Sequence, residues 1–250
     1  MKEKIMRQQT PFFIDILMSL VFTTVGCSSH PAKEIVLKSL EAHGGKKTWE
    51  RTKKVSYTKA TTLFTEQGAV EKEVYQNHEV YFQPFKAMMT WQEGATTNTA
   101  QLENDSLMLH RNSKSVTAPK VLQETKAVLE GAYYVFWQPY RLLEPEARLE
   151  VLGTRTLFNG KKTLEVLVRY SEAPEADRWH YFFDENSYRL VATGVVHQGR
   201  WSLITNDTYQ TCKGIVLNRL RTSYFTDANF QPKYKRASYV YTVTDIVLEK

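Results

Sequence analysis

The segment "FNGKKTLEVLVRY", residues 158–170, contains the pattern from which the fold class is predicted. Every second residue from Leu164 to Tyr170 is apolar, while the residues between them are mostly polar. This period of two is typical of a β-strand that buries one face. The preceding Asn159-Gly160 pair favours a hairpin turn. The segment therefore predicts a hairpin strand in an antiparallel sheet.

The same alternation recurs along most of the chain, in stretches rich in Thr, Tyr and Val. The predicted strands are 53–63, 70–83, 86–92, 97–102, 106–110, 149–158, 164–170, 179–184, 189–198, 201–209, 215–225 and 239–248. Turn residues such as Gln67-Gly68, Asn104-Asp105 and Gln198-Gly199 separate many of them. Because short turns join neighbouring antiparallel strands, we expect one mainly β domain with a meandering sheet.

Helices are predicted in only two places. The first begins at Pro31 and ends at Gly44-Gly45, followed by a short turn that buries Trp49. The second lies within residues 119–139, between two prolines, and has a broad apolar stripe. Gly131 inside it costs about 1 kcal/mol relative to Ala. So wide a stripe predicts that this helix covers the concave face of a curved sheet.

The first 26 residues have the layout of a secretory signal peptide. Lys2, Lys4 and Arg7 precede an apolar run, 12–25, which closes on Gly26. This run is interrupted by an acidic residue and is shorter than the roughly 20 apolar residues of a permanent membrane span. We therefore predict that residues 1–26 are removed.

Cys27 follows this run in the sequence "TVGC", which resembles the lipobox of bacterial lipoproteins, with Thr24 at a position that is usually Leu. The resemblance implies that Cys27 becomes the acylated first residue, that 27–30 form a tether and that 31–250 form the domain. Two or more acyl chains would anchor the protein stably to a membrane without spanning it. An ordinary signal peptide, with Cys27 an incidental thiol, stays open.

The charge and the cysteine content argue against nucleic-acid binding and against catalysis by a cysteine. The net charge of +6 falls to +5 without residues 1–26, and the basic residues are scattered, which argues against a nucleic-acid partner. Cys212 has no partner for a disulfide within the chain if Cys27 is acylated. We interpret Cys212 as a small core or strand residue and not as a nucleophile.

Four stretches, "AHGGKKTW", "FWQPYRLL", "YFFDENSYRLV" and "SYVYTVTDIVL", resemble the lipoprotein carriers LolA and LolB. The likeness is closer to an uncharacterised family of bacterial lipoproteins, domain of unknown function 6503. It implies an unclosed barrel of antiparallel strands, lidded by helices, with an apolar cavity for acyl chains. Because fold does not fix function, lipid binding is here an expectation by analogy.

Aromatic residues make up 12% of the chain and supply the candidate ligand-binding side chains. We assign Trp91, Tyr133, Phe136 and Trp137 to this role, because aromatic side chains beneath a helix are typical of an apolar site. Two interpretations stay open at this point. The rings either line a cavity or simply fill the core.

No catalytic or metal-binding motif is recognisable. The six histidines include no pair at metal-ligand spacing, and there is no nucleophile elbow or phosphate loop. His180 and Asp184 share a strand face and are interpreted as an exposed pair at a hairpin end. We expect no catalytic residues, no metal and no cofactor, although a triad assembled from distant segments stays open.

The predicted function is that of a monomeric lipoprotein that binds lipid, or the acyl chains of other lipoproteins, in sorting or lipid transport. Ser28 after the cysteine, with no acidic residue close by, favours the outer membrane, facing the periplasm. One alternative is a non-enzymatic envelope sensor or scaffold that binds a protein. A second alternative is a hydrolase with a dispersed site.

Overall fold

A computed structural model describes residues 31–173 and 176–249 of the chain, so the predicted signal peptide, Cys27 and the tether lie outside the described residues. The elements are α1 (Pro31–Ala42), α2 (Lys46–Glu50), β1 (Thr52–Phe64), β2 (Val70–Phe82), β3 (Phe85–Glu93), β4 (Thr96–Glu103), β5 (Ser106–Arg111), β6 (Lys114–Ser115), α3 (Pro119–Phe136), a 3-10 helix (Tyr140–Leu143), β7 (Arg148–Thr156), β8 (Lys162–Arg169), β9 (Arg178–Asp184), β10 (Leu190–His197), β11 (Arg200–Cys212), β12 (Ile215–Thr226) and β13 (Pro232–Leu248).

The 13 strands of the described residues form one antiparallel sheet in the order β6-β5-β4-β3-β2-β1-β13-β12-β11-β10-β9-β8-β7. The first strand pairs with the last, from Thr52 opposite Leu248 to Leu63 opposite Ala237. The two edge strands, β6 and β7, are not paired with each other in this order, so the curved sheet does not close into a barrel. The predicted fold class, a mainly β protein with an unclosed antiparallel sheet and few helices, is confirmed.

Several connections are two-residue turns in which both residues have positive φ. Asn104-Asp105 has φ of 48° and 64°, and Gln198-Gly199 has 48° and 75°, as predicted. Such type I′ turns match the right-handed twist of the strands they join. Lys213-Gly214 is a further turn of this kind that the sequence analysis missed. Strand β6 was also missed, because two residues are too few to show an alternation.

The helices cover one side of the sheet, here called the inner face. The central helix α3 buries Leu129, Tyr133 and Phe136 against strands β1–β5 and β13, as its stripe predicted. Helix α1 packs through Val36 against the inner residues of β8–β10. A smaller cluster lies on the outer face, where Phe230 of the β12–β13 loop covers β9–β11.

His43 joins the end of α1 to two distant strands. Its Nδ1 donates a hydrogen bond to the Val216 carbonyl oxygen at 2.8 Å, and its Nε2 accepts one from the Leu190 N–H at 3.2 Å. A ring that donates at one nitrogen and accepts at the other is the neutral form. Burial lowers the pKa of His43 to about 4, although the hydrogen bond to Val216 opposes this effect.

We expect folding stability to fall as the pH drops below 6.5, the ordinary pKa of His43. Between pH 6.5 and about 4 this histidine is protonated in the unfolded chain but neutral in the folded protein. The free energy of unfolding therefore falls by about 1.4 kcal/mol for each pH unit. The free energy of unfolding, measured with urea at several pH values in this range, should change less steeply with pH in His43→Gln. The difference in slope should be about 1.4 kcal/mol per pH unit. His78, whose pKa burial lowers to about 3, contributes to the slope in both proteins. Equal slopes in the two proteins would contradict the prediction.

Candidate functional site

Two of the predicted ligand-binding residues lie in the packed interior. The ring of Phe136 stacks on that of Tyr57 with 3.7 Å between centroids. Trp137 lies between Trp49 and Phe82, at 4.5 Å from each. Phe136 and Trp137 are at most 2% exposed, so in this structure they fill the core. Their contact with a ligand stays a prediction.

Trp91 lies elsewhere, in a groove of about 680 Å³ between strands β2–β3 and helix α3. Charged side chains of Lys72, Glu73, Glu93 and Glu124 line much of this groove. Desolvating them would oppose the entry of an apolar ligand. The role of Trp91 in binding a ligand therefore stays a prediction, and the groove around it suits polar contacts better than an acyl chain.

Tyr133 borders a different groove, on the side where the sheet does not close. Two adjoining pockets of about 710 and 470 Å³ share Tyr134, Arg141 and Trp179. Tyr170 lines the first pocket, and Phe85 lines the second together with Tyr133. We call this combined space the aromatic groove, defined by Phe85, Tyr133, Tyr134, Arg141, Tyr170 and Trp179. It runs between α3, the 3-10 helix and β9.

Arg141 forms part of the wall of the aromatic groove without presenting a free charge. Its guanidinium lies 4.6 Å from the centroid of the Tyr133 ring, and Nη1 donates a hydrogen bond to the Tyr133 hydroxyl at 2.9 Å. Arg141 also forms a salt bridge with Glu144. Burial raises the pKa of Glu144, and the positive charge of Arg141 opposes this effect. The groove thus combines aromatic walls with this ion pair, and its lining also includes Glu146 and Glu130, the latter paired with Lys126.

A chain of hydroxyl groups connects the groove to the interior. Tyr134 hydrogen-bonds to Tyr170 in the groove and, at 2.8 Å, to the buried hydroxyl of Tyr181. The side-chain amide of Gln138 donates to the Tyr181 hydroxyl, also at 2.8 Å. Burial raises the pKa values of Tyr134, Tyr170 and Tyr181 well above the ordinary 10, so these hydroxyls stay neutral.

Gly131 leaves room beside the aromatic groove. It lies in the middle of α3 and lines the second pocket, that of about 470 Å³. A Cβ built on it would meet no atom within 4 Å. Close packing therefore does not require glycine here, although glycine costs about 1 kcal/mol in a helix. A glycine in the middle of a predicted helix is therefore the local sequence signal that could have located the groove.

The interpretation of His180 and Asp184 as an exposed pair was wrong. His180 is buried on the outer face, and its Nδ1 donates to the Glu165 carboxylate at 2.7 Å. Arg155 Nε donates to the other oxygen of Glu165 at 2.6 Å. Asp184 instead accepts hydrogen bonds from the backbone N–H groups of its own turn, including that of Ser187 at 2.8 Å. Cross-strand pairing in the sheet decided these partners.

The buried Glu165 carboxylate is held in its charged form. Burial opposes ionisation, but hydrogen bonds from His180 and Arg155, with the charge of Arg155, outweigh it and hold the pKa below its ordinary value. The rings of Phe230 and Trp201 lie within 6.1 Å of the His180 ring. No Ser or Cys side chain hydrogen-bonds to His180 or Glu165 in the part of the chain that the structure describes, so the cluster has the contacts of a structural ion pair.

Residues 31–173 and 176–249 contain no group of three or more His, Cys, Asp or Glu side chains placed to hold a metal ion. Over the same residues, no helix has the length and apolar character needed to cross a membrane. Cys212 ends strand β11 as a free, half-buried thiol that packs against the interior, as its interpretation as a strand residue predicted.

Comparison with known proteins yields likenesses in structure only. No family model and no curated protein sequence matches the chain, so membership of the family of unknown function 6503 stays a prediction. A protein of the DUF1329 family from Desulfovibrio piger has a TM-score of 0.49 at 8% identity, with 88% of this chain and 94% of that chain covered.

Two further solved structures are similar over comparable lengths. The lipoprotein LppX of Mycobacterium tuberculosis has a TM-score of 0.33 at 11% identity, with coverage of 89% of this chain and 100% of that chain. MucB, solved in complex with periplasmic MucA, has a TM-score of 0.24 at 7% identity, with coverage of 88% and 99%. At these TM-scores the likenesses carry no argument, and the functional proposal rests on the geometry of this chain.

We expect Glu165→Gln to lower the free energy of unfolding by about 2 kcal/mol at pH 7, because two hydrogen bonds to a buried charge are weakened. A lowered pKa stabilises the fold above the ordinary value of 4.5, and this contribution is lost as the pH falls. The difference in unfolding free energy between the variant and the unsubstituted protein should therefore narrow as the pH falls below 4.5, measured by urea unfolding.

The matched control is Glu150→Gln, which removes the partner of Arg169 in an exposed salt bridge of the same sheet. Exposed pairs contribute little, so the control should change stability by less than about 0.5 kcal/mol. Equal effects of the two substitutions would show that burial of the Glu165 cluster does not stabilise the fold.

Proposed function

We propose that the protein binds an acyl chain in the aromatic groove. The observation that carries this proposal is the pair of adjoining pockets that meet at Tyr134, Arg141 and Trp179. Their volumes fall in the range of small-molecule sites, and aromatic walls favour apolar ligands through burial of apolar surface.

The lining of the groove supports binding over catalysis. The residues that line the two pockets include no Ser, Cys or His in the part of the chain that the structure describes. Hydrolysis by the common nucleophilic routes would need such a side chain beside a base. We therefore propose a binding protein and not an enzyme, for the acyl chains of lipids or of lipoproteins.

We further propose that Cys27 is acylated and anchors the protein to the outer membrane, facing the periplasm. Helix α1 begins at Pro31, four residues beyond Cys27. Four residues span at most about 14 Å. An anchor at Cys27 would therefore keep the domain against the membrane surface, where acyl chains are available to the groove.

The anchor is tested by mass spectrometry of the protein extracted from membranes of the producing cell. We expect the N-terminal peptide to begin at Cys27 and to carry acyl chains. A variant with Cys27→Ser should be recovered without this modification, because no thiol remains to accept a lipid. An unmodified Cys27 thiol in the mature protein would overturn the proposed anchor.

The groove is tested by blocking it at Gly131. We expect Gly131→Trp to lower the affinity for a fluorescent fatty acid at least tenfold, because the indole would occupy the space beside Tyr133 and Tyr134. The change should leave the fold intact, since no atom lies within 4 Å of the new Cβ. Affinity is measured by fluorescence titration of purified, delipidated protein, with circular dichroism as the check on folding.

Two controls accompany this experiment. Gly131→Ala should keep the affinity and raise stability by roughly 0.5–1 kcal/mol, because Ala is the better helix former. Val128→Trp changes an exposed residue of the same helix that lines the charged groove near Trp91, and should also keep the affinity. Failure of the unsubstituted protein to bind any acyl ligand would overturn the proposal and favour a protein-binding sensor or scaffold.

A further inference from the structure

The first pocket of the aromatic groove, that of about 710 Å³, is bordered by three aromatic rings. The centroid of the Tyr134 ring lies 5.7 Å from that of the Tyr170 ring, at an angle of 84° between the planes. The Trp179 ring lies 5.9 Å from the Tyr134 ring, at an angle of 60°. Rings inclined so steeply to one another do not form a stacked layer, so they border the pocket as separate walls.

The pocket leaves aromatic surface accessible to a ligand. Tyr170 is 36% exposed, and Tyr134 and Trp179 are half-buried. The hydroxyl of Tyr134 is hydrogen-bonded to those of Tyr170 and Tyr181, which restrains these side chains. Because the two hydroxyls that border the pocket already bond to each other, the surface left for a ligand is mainly that of the rings.

Three charged side chains also line this pocket, namely Arg141, Glu144 and Glu146. The guanidinium of Arg141 forms a salt bridge with Glu144. Glu146 is exposed and has no ion-pair partner among the residues that the structure describes. The lining therefore carries more negative than positive charge.

The described part of the chain places no cation of its own over two of the three rings. The guanidinium of Arg141 lies 4.6 Å from the centroid of the Tyr133 ring and 5.6 Å from that of the Tyr134 ring, whereas Tyr170 and Trp179 have no such contact. The face of an aromatic ring attracts a cation, and cages of such rings bind quaternary ammonium groups. A carboxylate at the rim adds attraction for a positive charge and repels an anion. The first pocket therefore has walls and a charge that suit a quaternary ammonium group.

The second pocket, of about 470 Å³, offers space for an apolar chain attached to such a group. Phe85, Leu102 and Val135 contribute apolar side chains to its lining. Glu130, which also lines it, is paired with Lys126. The two pockets share part of their lining, so one ligand can extend from the first into the second.

We propose that the first pocket binds the quaternary ammonium head of a lipid whose acyl chain lies in the second pocket. This inference rests on the proposed function and names the class of ligand. The trimethylammonium group contacts the rings of Tyr170 and Trp179, and Glu146 supplies the counter-charge. The site thereby selects lipids with a quaternary ammonium head over fatty acids and neutral lipids of the same chain length.

The test compares soluble ligands with chains of the same length, titrated by calorimetry into purified, delipidated protein below the concentrations at which they form micelles. We expect decyltrimethylammonium to bind at least tenfold more tightly than decanol or decanoate. The net charge of the chain is positive and would by itself attract the anion decanoate. A preference for the cation must therefore come from the site.

Two further ligands separate the head from the chain. Decylammonium carries the charge without the methyl groups and should bind at least threefold more weakly than decyltrimethylammonium, because its hydrogen bonds to water are lost among the rings. Choline carries the methyl groups without the chain and should bind at least tenfold more weakly, because it leaves the second pocket empty. Equal binding of choline and decyltrimethylammonium would assign the pocket to a free ammonium compound and overturn the lipid head.

Substitutions at the first pocket test the residues assigned to it, with circular dichroism as the check on folding. Tyr170→Leu and Glu146→Gln should each weaken decyltrimethylammonium at least threefold, with a smaller loss for decanol. Tyr170→Phe keeps the ring and should retain the preference for the cation. Glu150→Gln changes an exposed carboxylate outside the groove and, as the matched control, should leave all affinities unchanged.

The outcomes separate this inference from the proposed function. Failure of every ligand that carries a chain to bind would overturn the proposed function, and this inference with it. Equal binding of decyltrimethylammonium, decanol and decanoate by the unsubstituted protein would overturn the ammonium site and leave acyl-chain binding standing, and this comparison needs no variant. Tighter binding of decanoate or decylammonium than of decyltrimethylammonium would also overturn the ammonium site. So would a preference for the cation that survives both Tyr170→Leu and Glu146→Gln.

Discussion

The pairing of the first strand with the last fixes the order of the whole sheet. Strands β1 and β13 are joined along almost their whole length and place both ends of the domain at the centre of the sheet. The chain therefore runs outward from β1 to the edge at β6 and returns from the opposite edge at β7. Without this pairing, six strands and seven strands would form two separate sheets.

The position of the central helix follows from this order. Helix α3 connects the two free edges of the sheet and crosses the inner face, where it packs on β1–β5 through residues such as Leu129 and Phe136. The helix fills most of the space beneath it. Next to β9 it meets the sheet through Tyr134 and leaves the aromatic groove open, because Gly131 contributes no side chain there.

Buried polar groups in this fold differ in how completely they are satisfied. His43 uses both ring nitrogens to join α1 to β10 and β12, and the carboxylate of Glu165 has a partner on each oxygen. These groups are structural because their partners are supplied by the chain. Arg221 is equally buried, but its Nε and Nη2 have no hydrogen-bond partner within the described residues.

The strands and helices of this protein could be predicted from its sequence, because alternation, turn residues and helix ends are local properties. It predicted twelve of the strands, both helical regions and the burial of Trp49. It could not determine which aromatic rings fill the core and which line a groove, so Phe136 and Trp137 were chosen while Tyr134 was missed. It also placed His180 beside Asp184, when the true partner, Glu165, lies on the neighbouring strand. Only the tertiary structure decided these points, since strand order and the position of α3 bring together residues that are far apart in the chain.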